Sequence, residues 1–367
     1  MKSALKLTSD PTVQADILAD LACQTSIRSG MWPRRPDSAE VEGWIRQALE
    51  LAQPDSTAYA RALVARAYWN PGEEHAAARE GSALAEHSGD VALRSFAWGA
   101  RASAAFAERD YEQSFDWALR RVDLLPEIAD PDHQTEIYEE LIPPCAFIGR
   151  FQEALRLVGT HAELSRRLTP HHRIHSIAME LEVKELMGEW SSIQERSEVV
   201  ERLVTENLDT PCIRNARSLL VEAVAYAYAG EHDSARRLEE RGLELSFEGF
   251  GFRLFGPRVR LALLRNELDA VEAMLDEDVA RRGHDWMFTS AMVTTRLDAL
   301  LALGRHEDVE QEAAPLASAR SVLRPFAMRA LGIVREDPDL LQGALERFEA
   351  FGLGWHAAET RRLVLQP

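Results

Sequence analysis

A short turn signal, called a break below, recurs at nearly constant spacing and constrains the fold more than any other feature of this sequence. Each break is a three-residue step, usually with Gly first and a large side chain third. The breaks are Gly30-Met-Trp32, Asn70-Pro-Gly72, Arg109-Asp-Tyr111, Gly149-Arg-Phe151, Gly188-Glu-Trp190, Gly230-Glu-His232, Asn266-Glu-Leu268 and Gly304-Arg-His306. Successive breaks lie 40, 39, 40, 39, 42, 36 and 38 residues apart. A period this steady indicates a chain built from repeated supersecondary units.

Each period has the composition of two helices joined by the break. Ahead of the break lies an Ala- and Leu-rich stretch such as residues 218–229, and behind it lies an amphipathic one. Phe151, Leu155 and Val158 illustrate the second type, because their i, i+4 and i+7 spacing places them on one helix face. Gly suits the break, since a left-handed residue at a helix C-terminus is strained unless it lacks a Cβ.

The start of the next helix pair carries a capping signal. Asp130-Pro131, Thr169-Pro170 and Thr210-Pro211 each place a capping side chain before a Pro that fits the first helical turn. No segment shows the polar–apolar alternation and flanking turns of a strand hairpin. The sequence therefore predicts an all-α chain.

A helix pair cannot bury its apolar faces alone, so repeated pairs stack into a continuous core. We predict a right-handed α-solenoid of about nine tetratricopeptide-like helix pairs with a period near 39, forming a single domain over residues 1–367. The ninth pair covers residues 321–336 and 338–352. A last helix, Trp355 to Leu365, caps the array.

Composition narrows the partners and the compartment. With 42 Lys or Arg against 60 Asp or Glu, the formal net charge is −18, which argues against nucleic acid and anionic membranes as partners. The cysteines Cys23, Cys145 and Cys212 are odd in number and widely spaced, as in a reducing compartment, and we expect small core side chains there. No signal peptide or spanning segment is recognisable. We expect a soluble, cytoplasmic protein.

Three segments carry a family resemblance. They are Leu168-Thr-Pro-His-His-Arg-Ile-His175, Asp209-Thr-Pro-Cys-Ile-Arg-Asn-Ala-Arg-Ser-Leu-Leu220 and Ala344-Leu-Glu-Arg-Phe-Glu-Ala-Phe-Gly-Leu-Gly-Trp-His-Ala-Ala-Glu-Thr-Arg361. The chain resembles the C-terminal tetratricopeptide-like region of bacterial class III adenylate/guanylate cyclases with an ATPase domain, and that of large ATP-binding transcriptional regulators. The resemblance implies a regulatory module that senses a protein or ligand. Cyclase, nucleotide-binding and DNA-binding segments are not recognisable here, so the chain is either a free-standing relative or a fragment.

Motifs of common enzyme classes are missing from the sequence. It contains no G-x-x-x-x-G-K-[ST] loop, no G-x-S-x-G elbow and no H-E-x-x-H pair. We therefore predict a chain without catalytic activity or a cofactor. A helical enzyme whose catalytic residues follow no known motif is the alternative.

A histidine cluster opens the helix that follows Pro170. His171 and His175 have the i, i+4 spacing that can chelate a transition metal, and His172 lies between them. The cluster has no Cys or placed carboxylate nearby in the sequence, so we predict no metal site. Helix capping and surface polar packing are the alternative roles.

The same helix contributes to a predicted ligand patch. Arg173 and Arg214 each lie three residues after the Pro of a Thr-Pro pair, so they are expected at similar heights on neighbouring first helices, about 10 Å apart. Their guanidinium groups suit carboxylates or phosphates. The full predicted patch in the concave groove is Arg173, Arg214, Asn215, Arg217, His171, His172 and His175. Alternatively, these arginines pair with groove carboxylates such as Glu180, Glu182 or Glu222 and only rigidify the stack.

Three functional classes are consistent with these features. The first, which we favour, is a non-enzymatic interaction or sensor module in bacterial signalling or transcriptional regulation, whose groove takes a protein, a peptide or a small anion. The second is an architectural array that self-associates, or the regulatory part of a multidomain cyclase or ATPase. The third is an unrecognised helical enzyme. The eight tryptophans, Trp190 and Trp355 among them, are expected to pack between stacked units, with partner anchoring as the alternative.

Overall fold

A computed structural model describes residues 2–28, 32, 36–246, 251–276 and 289–365 of the chain. Every regular element in these residues is a helix, as predicted. None of the described helices combines the length and apolar character needed to cross a membrane.

The chain divides into two compact units, Met1–Pro144 and Cys145–Pro367. The boundary lies inside a helix, directly after Pro143 and Pro144, which both lack the amide hydrogen that a helix interior uses. The prediction of a single repeat domain over residues 1–367 stays a prediction.

The first unit contains the helices up to this boundary. They are α1 (Lys2–Leu5), α2 (Pro11–Ile27), α3 (Ser38–Leu51), α4 (Thr57–Trp69), α5 (His75–Ser88), α6 (Val91–Ala107), α7 (Tyr111–Val122) and most of α8 (Pro131–Phe147). A 3-10 turn, Leu125–Glu127, precedes α8. Helix α4 contacts both α5, its pair partner, and α6, the first helix of the next pair. This is the contact pattern of stacked pairs.

The second unit contains the remaining helices. They are α9 (Phe151–Ser165), α10 (Pro170–Met187), α11 (Trp190–Gln194), α12 (Ser197–Glu206), α13 (Ile213–Tyr228), α14 (His232–Glu244), α15 (Phe255–Leu264), α16 (Leu268–Asp276), α17 (Thr289–Ala302), α18 (His306–Ala317), α19 (Leu323–Val334), α20 (Pro338–Ala350) and α21 (Gly354–Val364). A 3-10 turn, Gly251–Leu254, leads into α15. Here α13 contacts α14 and α15, and α17 contacts α18 and α19.

In chain order, the described helices from α2 to α20 form nine pairs, and α21 follows as the predicted last helix. Helices α11 and α12 together take the place of one second helix. Six predicted breaks have a residue with positive φ, and they are Arg109, Gly149, Gly188, Gly230, Asn266 and Gly304. Asn70 ends its helix with a φ of −131° instead. Gly30 and Met31 of the first predicted break lie outside the described residues. The predicted period is confirmed.

The predicted helix starts are confirmed at two of three positions. Helix α8 begins at Pro131 and α10 begins at Pro170, with Thr169 as the N-cap. Helix α13 begins at Ile213, two residues after Pro211, with Cys212 as its N-cap.

Candidate functional site

The two arginines of the predicted patch pair with different elements. Arg173 is the fourth residue of α10, whereas Arg214 is the second residue of α13. Arg173, whose side chain is 31% exposed, donates to Glu206 at the end of α12. Arg214, whose side chain is 2% exposed, donates to Glu182 on α10. The joint role of these residues in a ligand patch stays a prediction.

Three members of the predicted patch make local contacts at helix ends. Arg173 donates to the carbonyl of Leu168 over 2.8 Å, in addition to its contact with Glu206. The Oγ1 of Thr169 lies 2.8 Å from Nδ1 of His172, which matches the alternative capping role. Asn215 accepts a hydrogen bond from the Asn207 side chain over 3.1 Å and donates to its carbonyl over 3.4 Å.

Arg214 and Arg217 form ion pairs with the neighbouring first helix α10. Arg214 lies 3.2 Å from Glu182, and Arg217 lies 2.7 Å from Glu185 and 3.8 Å from Glu182. Both arginines and Glu185 are buried. Burial raises the pKa of Glu182, and the arginines oppose that rise. The alternative of groove pairing is therefore correct for these arginines. It is wrong for Glu180, which pairs with Lys184 and Arg196.

This pairing continues along the first helices of the second unit. Arg260 on α15 donates to Tyr228 Oη on α13 over 3.3 Å and to Thr295 Oγ1 on α17 over 2.8 Å. Asp298 on α17 lies 3.9 Å from Arg260 and 3.1 Å from Arg329 on α19. We call the contacts of Arg214, Arg217, Arg260 and Arg329 with these partners the first-helix ladder.

The carboxylates of the first-helix ladder are shared between arginines. Glu182 pairs with both Arg214 and Arg217, and Asp298 pairs with both Arg260 and Arg329. A further buried arginine, Arg253, also lowers the pKa of Glu182. The ladder therefore concentrates guanidinium groups in a chain whose net charge is −18.

The last helix of the second unit, α21, contacts α10, the first helix of an earlier pair. Helix α10 contacts α17 and α21 as well as α13. His356 on α21 lies with Nε2 3.1 Å from the carbonyl of Leu186, at the end of α10. The Gly188 that ends α10 has a φ of 74°, and a Cβ there would meet Trp355 at 2.9 Å. The first helices from α10 to α21 therefore form a closed circuit within this unit.

An aromatic cluster lies where this circuit closes. The Trp190 ring stacks on Tyr228 with centroids 4.7 Å apart, and both rings meet Trp355 edge-on, at 5.8 Å and 5.1 Å. The guanidinium of Arg260 lies 5.7 Å from the centroid of the Trp190 ring. This places the aromatic cluster against the first-helix ladder.

Three buried nitrogens at this junction have no hydrogen-bond partner among the described residues: Trp190 Nε1, Arg260 Nε and His356 Nδ1. Burial, together with Arg329 and Arg260, holds the pKa of His356 well below its usual value, so the ring is neutral. Its Nε2 donates to the Leu186 carbonyl, which makes Nδ1 an acceptor. The junction therefore offers two donors and one acceptor, and unsatisfied buried groups of this kind are costly.

The structure brings His171 and His175 close to Cys212, which is distant from them in the sequence. The rings of His171 and His175 lie 4.3 Å apart, and Sγ of Cys212 lies 3.4 Å from Nε2 of His175. Cys212 is buried, as expected, but it is not remote from the histidines. The expectation that the cluster lacks a nearby Cys is wrong, because α13 packs against the start of α10.

The first unit has a separate buried polar network of its own. Arg121 on α7 pairs with Glu140 and, over 3.1 Å, with Glu136, both on α8. Arg28 also pairs with Glu136, over 3.2 Å. Burial and the nearby Arg121 and Arg28 lower the pKa of His133 to about 2, so this imidazole is neutral. Arg28 pairs with Asp130 as well, over 3.7 Å.

Sequence reasoning missed Arg260, Arg329, Asp298 and His356 as members of the site. Arg260 lies 43 residues after Arg217, close to one period, so an alignment of whole repeats would have marked it. The sequence predicts that Trp190 and Trp355 pack between stacked helix pairs, and their rings do meet within the second unit. No spacing in the sequence indicates that α21 returns to α10.

The fold and this polar lining define a helical repeat protein of the stacked-pair class. A structure described as a Rap protein complexed with competence and sporulation factor is similar to it, with a TM-score of 0.54 and 11% sequence identity. The match covers 96% of this chain and 97% of that chain, and at this identity it shows the fold alone. No protein-family model matches the sequence, and no curated protein matches it. The relation to cyclases and ATP-binding regulators stays a prediction.

Proposed function

We propose that this chain is a non-enzymatic regulatory module that binds a peptide segment in the second unit. The observation that carries the proposal is the group of three unsatisfied nitrogens, on Trp190, Arg260 and His356, beside the arginines of the first-helix ladder. A ligand that supplied the missing partners would remove the cost of these buried groups. The cytoplasmic location and the role in bacterial signalling or transcriptional regulation belong to the same proposal.

The chemistry of the junction favours a peptide over a simple anion. The N–H groups of Trp190 and Arg260 need acceptors, whereas Nδ1 of His356 needs a donor. A peptide backbone offers both a carbonyl and an N–H at every residue, while phosphate or sulfate offers acceptors above all. The guanidinium groups of the first-helix ladder add a preference for carboxylates, either on acidic side chains or at the C-terminus.

The exposed fractions of the ladder side chains indicate that a ligand can reach the ladder from the end that holds Asp298. The side chain of Asp298 is 30% exposed, whereas that of Arg217 is 4% exposed. Arg329, at 10%, lies next to Asp298. The similar Rap protein was solved in complex with a factor, which makes ligand binding by this fold a reasonable expectation.

A conservative substitution at Trp190 tests the proposal. Trp190→Phe keeps an aromatic ring against Tyr228 and removes the unsatisfied N–H, so its stability should change by about 1 kcal/mol or less. A randomised pool of short peptides with free carboxyl termini is incubated with the chain, and retained peptides are identified by mass spectrometry. The dissociation constant of the best peptide is then measured by fluorescence anisotropy, with the label on the peptide.

The matched control is Trp117→Phe, in the first unit, where the ring lies under Arg101 and Arg120. We expect retention of acidic peptides by the wild type and the control, and an affinity at least tenfold lower for Trp190→Phe. Absence of retained peptides, or equal binding by both variants, would refute a binding site at this junction. A mass that increases with concentration in the absence of peptide would support the architectural alternative.

A further inference from the structure

His171, His175 and Cys212 form a compact group of potential metal ligands in the second unit. The two histidines lie one turn apart at the start of α10, and Cys212 is the N-cap of α13. One ligand atom from each residue lies within 4.8 Å of the other two. Because α10 and α13 belong to neighbouring pairs, the group joins two repeats.

The distances are close to those of a tetrahedral metal site. Zinc bonds of about 2.0–2.1 Å to nitrogen and about 2.3 Å to sulfur separate neighbouring ligand atoms by about 3.3–3.6 Å. Sγ of Cys212 and Nε2 of His175 already lie 3.4 Å apart. The ligand atom of His171 lies within 4.8 Å of the other two. A shift of about 1 Å by one imidazole ring brings all three atoms to the spacing of a tetrahedral site.

A second observation points to a ligand at the same place. Nδ1 of His171 is shielded from solvent and has no hydrogen-bond partner among the described residues. The rest of both imidazole rings is partly exposed, whereas Cys212 is buried. An ion can therefore reach the group from solvent, and the sulfur is sheltered once it is bound.

We propose that His171, His175 and Cys212 bind a transition-metal ion with the preferences of Zn²⁺. The two neutral imidazoles bind through nitrogen lone pairs, and the thiol of Cys212 binds as thiolate after its proton passes to solvent. Nitrogen and thiolate donors suit Zn²⁺ and Co²⁺ and disfavour Mg²⁺ and Ca²⁺. The fourth position stays open to water or to a further ligand.

A bound ion would fasten the start of α10 to the start of α13. This effect is distinct from the proposed peptide binding, which involves Trp190, Arg260 and His356. Without metal, the short Sγ to Nε2 distance would correspond to a thiol–imidazole hydrogen bond that only joins the two helices. The two explanations differ in what Zn²⁺ does to the full chain.

The test uses metal-free full-length chain titrated with Co²⁺ and then with Zn²⁺. We expect one Co²⁺ per chain, with a thiolate-to-metal charge-transfer absorption that Zn²⁺ abolishes. Cys212→Ser should remove the charge-transfer band. His171→Asn should weaken Co²⁺ binding by at least tenfold, since one of three protein ligands is lost.

Matched controls come from the same helix and from another buried thiol. His172, which lies next to the proposed ligands but contacts Thr169, is replaced in the control His172→Asn. The second control, Cys145→Ser, replaces a different buried cysteine. Both should keep the band and the affinity for Co²⁺. Zn²⁺ should also raise the melting temperature of the wild type and of His172→Asn, and raise that of His171→Asn by less.

His171 is partly exposed, so its replacement by Asn leaves the fold intact and keeps the test decisive. Circular dichroism confirms helix content for each variant. Absence of a thiolate band with Co²⁺ would overturn the proposal. So would equal Co²⁺ affinities for the wild type, His171→Asn and Cys212→Ser.

Discussion

Both units of the molecule bury arginines, but their ion pairs are arranged differently. In the first unit each arginine pairs with two carboxylates: Arg121 with Glu136 and Glu140, and Arg28 with Glu136 and Asp130. In the second unit Glu182 pairs with Arg214 and Arg217, and Asp298 pairs with Arg260 and Arg329, so each of these carboxylates is shared by two arginines.

This difference separates a structural role from a binding role. A buried ion pair is tolerated when each charge has a partner and further hydrogen bonds. The network of Arg121 meets that condition, since Tyr68 also donates to Glu140 and the Ser95 hydroxyl accepts from Arg121. In the second unit three nitrogens next to the ladder, on Trp190, Arg260 and His356, have no hydrogen-bond partner among the described residues. We infer that the first unit uses its arginines for cohesion and that those of the second also serve a ligand.

The largest expected effect comes from breaking the network of Arg121. Arg121→Met leaves Glu136 and Glu140 buried without their main partner and should lower the free energy of unfolding by about 3–5 kcal/mol. Chemical denaturation of full-length chain measures this change. The control is the neighbouring Arg120→Met, whose guanidinium lies over Trp117 and should matter by about 1 kcal/mol or less. A loss below about 1 kcal/mol for Arg121→Met would contradict the structural role of the network.

A second variant tests Glu222, a buried carboxyl of the second unit. Among the described residues, no arginine donates a hydrogen bond to it. Glu222 accepts from the Ser197 hydroxyl over 3.2 Å, and burial raises its pKa to about 8. The folded state therefore holds a proton that the unfolded state loses above about pH 4.5, so stability falls as the pH rises from about 4.5 to 8.

Glu222→Gln removes this titration. Since each pKa unit corresponds to about 1.4 kcal/mol, the variant should gain roughly 2–4 kcal/mol over the wild type at pH 8 and little at pH 4.5. Denaturation at pH 4.5, 6.5 and 8 measures the difference. A gain that does not increase with pH would show that Glu222 is ionised in the folded chain.

A third pair of variants tests how tightly the first-unit network is packed. A Cβ on Gly99 would overlap the Tyr68 hydroxyl and lie 2.6 Å from both Arg121 and Glu140. Gly99→Ala should cost roughly 1–3 kcal/mol, because the network cannot shift without losing a pair. Gly159→Ala, in a helix with open space around the new methyl group, should instead stabilise by about 0.5–1 kcal/mol. Equal changes in melting temperature would mean that the network is loosely packed.

The smallest expected change in stability belongs to the carboxylate that two ladder arginines share. Arg329→Gln leaves Asp298 with Arg260 and with partial exposure to water, so the free energy of unfolding should fall by only about 1 kcal/mol. Affinity for acidic peptides should nevertheless fall at least tenfold. Arg335→Gln, which loses only an exposed pair with Glu310, is the control. A large loss of stability for Arg329→Gln would place it with Arg121 as a structural arginine.

Much of the fold could be predicted because its signals are local. The Gly149 and Gly188 breaks, and the Thr169-Pro170 start, depend on backbone conformations that only certain residues adopt readily. The site could not be predicted to the same extent, because it depends on register. Helix α13 starts two residues later than expected, at Ile213, and Arg214 pairs with α10 whereas Arg173 pairs with α12.

Long-range contacts were also beyond the sequence pattern. Cys212 follows His175 by 37 residues and is brought to it by the packing of α10 against α13. His356 reaches Leu186 across 170 residues. Periodicity predicts that neighbouring pairs stack, but it does not tell which later helix returns to an earlier one.

The most direct test of the central claim is hydrogen–deuterium exchange of the full chain, with and without the best peptide recovered from the pool. The account predicts slower exchange in α11, α15 and α21, which hold the unsatisfied nitrogens, and unchanged exchange in α6, α7 and α8. Protection confined to the first unit, or absent from α15 and α21, would contradict the claim that the unsatisfied nitrogens and the ladder of the second unit serve a ligand.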